Sequence, residues 1–201
     1  MVRLPAHAPG MRIGLYGGTF NPAHAGHRHV SLLAMKRMRL DRVWWVVTPG
    51  NPLKERGGLV PACERAAAAQ ALARHPRIAI TCFEEEIGAQ FTVDTLAYVV
   101  TRCETVRFVW IMGADSLASF HRWRGWTQIM REVPVAVVSR PWIALKSRFS
   151  PAARRFAHGR SPSRKALLLP GAPTPRWVFL RGPLNFQSST ALRERMRRSA
   201  S

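Results

Sequence analysis

Short, unbroken apolar runs alternate along this chain with helix-length segments, and that alternation constrains the fold more than any other feature. Residues 12–18 (RIGLYGG), 42–49 (RVWWVVTP), 77–83, 105–115, 133–139 and 176–181 read as strands. Between them, residues 26–38 place Val30, Leu33, Ala34 and Met38 at helical spacing, and 61–75 is an Ala-rich helix opened by a proline. Residues 92–102 fit a short helix with Thr92 as its N-cap, 115–132 one or two helices, and 189–198 a last one. Strands this uniformly apolar are covered on both faces. Repeated strand–helix units therefore predict an α/β, doubly wound, mostly parallel sheet with right-handed crossovers. A chain of 201 residues allows one domain, expected over 11–201, with residues 1–10 as a flexible tail and 141–176 as a basic, irregular loop region. Glutamates 84–86 are expected in an exposed loop.

No apolar run reaches the ~18 residues of a membrane helix, and the first ten residues lack the apolar core of a secretory leader. Cys63, Cys82 and Cys103 are scattered, and are expected as reduced thiols of a cytoplasmic protein. The charge is one-sided, with 31 Lys and Arg against 11 Asp and Glu. Residues 140–201 alone carry 14 basic residues and one acid, Glu194. Such a field favours anionic partners. A nucleic-acid-binding protein is one function class it allows. No helix-turn-helix, finger or RNA-binding signature accompanies the charge, so nucleic acid is expected as at most a non-specific partner.

In open parallel sheets, ligands bind beyond the C-terminal strand ends. The loop after the first strand reads Gly17-Gly18-Thr19-Phe20-Asn21-Pro22-Ala23-His24-Ala25-Gly26-His27. It has neither the Gly-Lys-Ser/Thr of a Walker loop nor the Gly-x-Gly-x-x-Gly of a dinucleotide fingerprint. It offers amides at Gly17, Gly18, Thr19 and Phe20 that can approach a phosphate closely. A helix N-terminus carrying His24 and His27 follows. These histidines are read as anion donors, with no metal site, because no cysteine or carboxylate sits beside them.

Gly-Gly-Thr-Phe-x-Pro-x-His-x-Gly-His resembles the signature of the nucleotidyltransferases that move AMP from ATP to a phosphate. Within them, the chain looks like the bacterial nicotinate-nucleotide adenylyltransferases over residues 11–200. Four later segments match in order: Thr48-Pro49-Gly50-Asn51-Pro52-Leu53-Lys54, Phe91-Thr92-Val93-Asp94-Thr95-Leu96, Ile111-Met112-Gly113-Ala114-Asp115-Ser116-Leu117 with Trp123, and Ser188-Ser189-Thr190-Ala191-Leu192-Arg193. The resemblance implies a Rossmann-like fold and ATP and nicotinate mononucleotide as substrates. Mg²⁺ would accompany ATP, and the products would be nicotinate adenine dinucleotide and pyrophosphate. It implies His24, His27 and Arg193 as catalytic residues. It assigns Gly17, Gly18, Thr19, Phe20, Gly113, Asp115, Ser189 and Thr190 to ATP, with the catalytic three. The nicotinate nucleotide would meet Thr19, Lys54, Thr92 and Trp123. Asn21 replaces an aspartate common in the family, and Leu53 a frequent histidine. Nicotinamide mononucleotide or another phosphate acceptor is the alternative substrate.

Overall fold

The computed structural model describes residues 2–50, 59–139, 147–183, 187, 189, 192–194 and 198. In chain order the elements are β1 (Arg12–Gly18), α1 (Ala25–Met38), β2 (Arg42–Val47), α2 (Ala62–Ala73), β3 (Ile78–Thr81), α3 (Phe83–Glu86) and α4 (Thr92–Arg102). Then follow β4 (Arg107–Gly113), α5 (Ala114–Ser119), α6 (Trp126–Glu132), β5 (Val135–Val138), α7 (Pro151–Arg155), β6 (Arg160–Ser161) and β7 (Trp177–Leu180). The strands form one all-parallel sheet in the order β3-β2-β1-β4-β5-β7-β6. The chain winds outward from β1 to β3, then returns to β4 on the other side of β1. The point where winding reverses, between β1 and β4, is where such sheets open a ligand crevice.

Alternation along each strand divides the core into two layers. Ile13, Leu15, Trp44, Val46, Phe108 and Trp110 face α4, α5, α6 and α7. Tyr16, Val43, Trp45, Val47 and Ile111 face α1 and α2. The two adjacent tryptophans of β2 thus enter opposite layers, and both are fully buried. Burying each large side chain contributes ~1.5–3 kcal/mol, so these layers hold the strand ends in register beneath the crevice.

Three expectations are corrected. Glu84 is not in an exposed loop: it lies in α3 and is 6% exposed. Residues 147–168 are not wholly irregular: they build α7, β6 and two 3₁₀ segments that bury Ala152, Phe156 and Ala166, while 169–176 carry no helix or strand. These elements are only a few residues long, so arginines dilute any periodicity. Residues 2–10 are packed against the fold and not a loose tail. Val2 and Leu4 lie on the first core layer, the His7 ring meets Trp44 edge-on, and the Gly10 amide bonds the Thr105 carbonyl. Among the described residues, no helix is long and apolar enough to cross a membrane.

Candidate active site

The loop after β1 is shaped by what its glycines omit and by where Phe20 goes. A Cβ on Gly17 would stand 2.4 Å from the Trp110 ring, so this glycine lets β4's tryptophan pack beneath the loop. Phe20 takes a left-handed backbone (φ 47°), which a non-glycine residue adopts at a cost. Its ring is 2% exposed, stacks on Trp45 at 4.9 Å and meets His27 at 4.7 Å. That anchoring offsets the backbone strain and fixes the turn into α1.

His24 is the N-cap of α1, and its Nδ1 accepts from the Gly26 amide at 3.1 Å. His27 Nδ1 accepts from the His24 amide, also at 3.1 Å. A ring nitrogen that accepts carries no proton, so each neutral imidazole holds its proton on Nε2. The rings lie 3.9 Å apart and are nearly buried, at 3% and 8% exposure. A Cβ on Gly26 would come within 2.8 Å of the His24 ring, which explains the glycine between the histidines. The result is a pair of Nε2–H donors at the positive end of a 14-residue helix.

The C-terminal segment clamps this loop. The Ala25 amide donates to Gln187 Oε1 at 3.0 Å, Ser189 Oγ donates to the Pro22 carbonyl at 3.1 Å, and Arg193 Nη1 donates to the Asn21 carbonyl. Ser189 and residues 192–194 have helical backbone, as expected. Sequence segments more than 160 residues apart therefore meet at one place. Thr190 and Lys54 lie outside the described residues.

A second tie comes from Arg65 on α2, 4% exposed. Its guanidinium donates to the carbonyls of Thr19, of Thr48 at 2.8 Å, and of Val60 at 2.6 Å, with a longer contact to Pro49. It joins the loop after β1 to the loop after β2. Burial pulls its pKa below the usual arginine value. Sequence reasoning missed it, although the signal was present: Ala62, Arg65, Ala69 and Ala73 share the buried helix face, and an arginine there needs acceptors. Gln187 and Glu84 were missed as well. The Glu84 carboxyl accepts from the hydroxyl of Thr95 on α4 and bonds that of Thr48. Desolvation raises its pKa from 4.5 to about 7.

Thr92 and Trp123 belong to adjoining segments. The Arg124 guanidinium lies 4.7 Å over the Phe91 ring, and Gly125 packs closely against Val93. Trp123 is half-buried, edge-on to Phe120 at 5.3 Å. Thr92 is the first residue of α4, not its cap. Phe91 holds the cap position, its amide bonded by the Asp94 carboxylate at 3.3 Å. Gly113 ends β4 beside the crevice and caps α5, with Asp115 exposed in the following turn.

A parallel sheet whose switch-point loop carries glycines, a helix N-terminus and two Nε2–H donors, with no paired carboxylates in that loop, is the architecture of a nucleotidyltransferase. The chain belongs to the cytidylyltransferase-like family, which it matches over residues 15–195, and within it to the nicotinate-nucleotide adenylyltransferases. It is 60% identical over 185 residues to a probable nicotinate-nucleotide adenylyltransferase of Caulobacter sp., covering 92% of this chain and 98% of that one. A Methylorubrum extorquens protein of the same description is 58% identical, with 92% and 100% covered. In fold, the chain is similar to the Plasmodium falciparum nicotinic acid mononucleotide adenylyltransferase complexed with NaAD. The TM-score is 0.67 at 16% identity, over 92% of this chain and 83% of that one.

Proposed function

We propose that the protein transfers AMP from ATP to nicotinate mononucleotide, releasing pyrophosphate and forming nicotinate adenine dinucleotide. The carrying observation is the His24–His27 pair. Both Nδ1 atoms are held by backbone amides, which commits both Nε2–H groups to donation at a helix N-terminus. The names of relatives at 58–60% identity support the substrate assignment.

The acceptor phosphate has a second pKa near ~6 and is largely dianionic at neutral pH, so it needs no general base. The chemical difficulty is bringing it against a polyanionic triphosphate. His24 and His27 donate to the ATP phosphates and stabilise charge as the α-phosphorus–oxygen bond breaks. The amides of Gly17, Gly18, Thr19 and Phe20 line the approach, and Thr19 also faces the acceptor. Arginine carries several N–H donors. Arg193 gives one to the Asn21 carbonyl, and with Ser189 and Thr190 it is the contact for the β- and γ-phosphates. Gly113 and Asp115 hold the adenosine. Thr92 binds the nicotinate carboxylate, Trp123 stacks on the pyridinium ring, and Lys54 adds a phosphate contact.

The reaction proceeds by direct in-line attack without a covalent enzyme intermediate. The donors around the phosphate loop are N–H and O–H groups, which suit anions. Mg²⁺ would enter with ATP and would neutralise part of the triphosphate charge. The reading retains a single domain over residues 11–201 and a cytoplasmic location. The test is stereochemical: ATP chiral at a thio-substituted α-phosphorus is converted to dinucleotide. Inversion supports direct transfer, and retention overturns it in favour of a covalent intermediate.

A further inference from the structure

Cys63 and Cys82, expected as separate thiols, are joined as a disulfide, while Cys103 stays free and buried. They are 19 residues apart in sequence, with Cα atoms 5.6 Å apart. That spacing lies within the range an unforced disulfide spans. The β2–α2–β3 crossover creates it: Cys63 is the second residue of α2, and Cys82 stands between β3 and α3.

We infer that Cys63 and Cys82 form a reversible oxidation site whose redox state sets how firmly Thr19 and Thr48 are held at the ends of β1 and β2. The inference rests on the adenylyltransferase reading for its kinetic consequence only. Each cysteine lies two residues before a buried side chain that holds the site. Cys63 precedes Arg65, which ties the Thr19 and Thr48 carbonyls, and Cys82 precedes Glu84, which ties Thr48 and Thr95. Both chains of contacts converge on Thr48, whose amide also bonds the Gly18 carbonyl at 3.0 Å. A covalent link between the N-terminal ends of α2 and α3 therefore restrains the two groups that bond Thr48.

The surroundings suit exchange chemistry. Cys63 is exposed and Cys82 half-buried. Cys63 sits in the first turn of a 12-residue helix. Glu85 is fastened to the same turn, accepting from the Ala62 amide at 3.0 Å, with its other oxygen 3.4 Å from Cys63 Sγ. In the oxidised state that oxygen faces sulfur with no proton to accept. In the reduced state it accepts the Cys63 thiol, so each redox state has its own local bonding.

The oxidant is a low-molecular-weight disulfide, RSSR. The Cys63 thiolate attacks one of its sulfurs, giving the mixed disulfide and one RSH. The Cys82 thiolate then displaces the second RSH and closes the bond. Two protein thiols are oxidised, one RSSR is reduced to two RSH, and no other electron acceptor is needed.

The test equilibrates the full-length protein in glutathione buffers of graded oxidised-to-reduced ratio. Free thiols are then counted by maleimide mass shift with peptide mapping, and pyrophosphate release is assayed on the same samples. The expected result is paired loss of Cys63 and Cys82 labelling while Cys103 is unchanged after denaturation. A several-fold lower KM for the mononucleotide should accompany oxidation, with kcat little changed. Cys63→Ser and Cys82→Ser should each lock the reduced kinetics. Failure of the two thiols to pair at any ratio overturns the site whatever the enzyme's activity. Pairing with identical kinetic constants in both states overturns the coupling to the loops. Loss of activity under every condition, with normal pairing, would count against the enzymatic reading and leave the thiol chemistry standing.

Discussion

Replacing Arg65 with methionine keeps most of the side-chain volume on α2 and removes the guanidinium that joins the loops after β1 and β2. Three carbonyls lose a charged donor: Thr19, Thr48 and Val60. A buried hydrogen bond to a charged group contributes about 1.5–3 kcal/mol, and removing several at once is less than additive. The variant is also relieved of the desolvation that lowers the Arg65 pKa. A net destabilisation of about 3 kcal/mol follows, readable as a lower urea midpoint at constant slope. The catalytic cost has a separate origin. Thr19 and Thr48 flank the crevice, and displacement of a loop by ~1 Å costs about 100-fold in rate. In steady-state assays we expect kcat/KM for Arg65→Met to fall by about 10- to 100-fold, with KM for the mononucleotide raised. Arg65→Lys should recover part of the stability, because an ammonium can satisfy one carbonyl, but little of kcat/KM, because it cannot span both loops. An Arg65→Met protein that keeps its midpoint and holds kcat/KM within about twofold of wild type would refute the idea that this side chain positions the site.

The adjacent glycines of the β1 loop should separate. Gly17→Ala drives a methyl into Trp110 and should cost about 1–3 kcal/mol by thermal or urea melting. Gly18→Ala meets Phe20 at an ordinary 3.4 Å, so it should melt like wild type but lose kcat/KM, the methyl standing where phosphate approaches. Glu84 carries a pH signature: its pKa rises from 4.5 to about 7, so between these values the native state keeps a proton that the unfolded chain has lost. Stability should fall by about 3 kcal/mol as pH rises through that window and then level off; Glu84→Gln should flatten this part of the urea-midpoint profile, and parallel profiles would contradict the assignment. Trp123→Ala should raise KM for the mononucleotide by about 2- to 30-fold while sparing KM for ATP, measured by varying each substrate in turn.

Much of this architecture is legible in the sequence because parallel strands buried on both faces read as apolar runs. The runs at 42–49 and 105–115 locate β2 and β4 to within a few residues. The phosphate loop is legible because its residues are consecutive and chemically distinctive, from Gly17 to His27. What escaped was long-range or chemically ambiguous. Arg65 on an Ala-rich helix looks like surface charge until the carbonyls of Thr19 and Thr48 are placed beside it. Glu84, within a run of three glutamates, looks solvated until Thr95 covers it. The disulfide partner of Cys63 depends on a crossover that no spacing rule encodes. The short elements around Ala152 and Phe156 hide because each buries only a residue or two per turn.

The central claim is that the paired imidazoles at the start of α1 drive AMP transfer to a nicotinate nucleotide. Pyrophosphate release from ATP and Mg²⁺ tests it most directly, with nicotinate and nicotinamide mononucleotides compared side by side, for wild type and for His27→Ala. The account predicts release with a strong preference for the nicotinate substrate. It also predicts a loss of about 100-fold or more in kcat for the variant, with its fold intact by circular dichroism. Absence of release from folded wild-type protein with either nucleotide, or a folded His27→Ala enzyme with undiminished kcat, would contradict it.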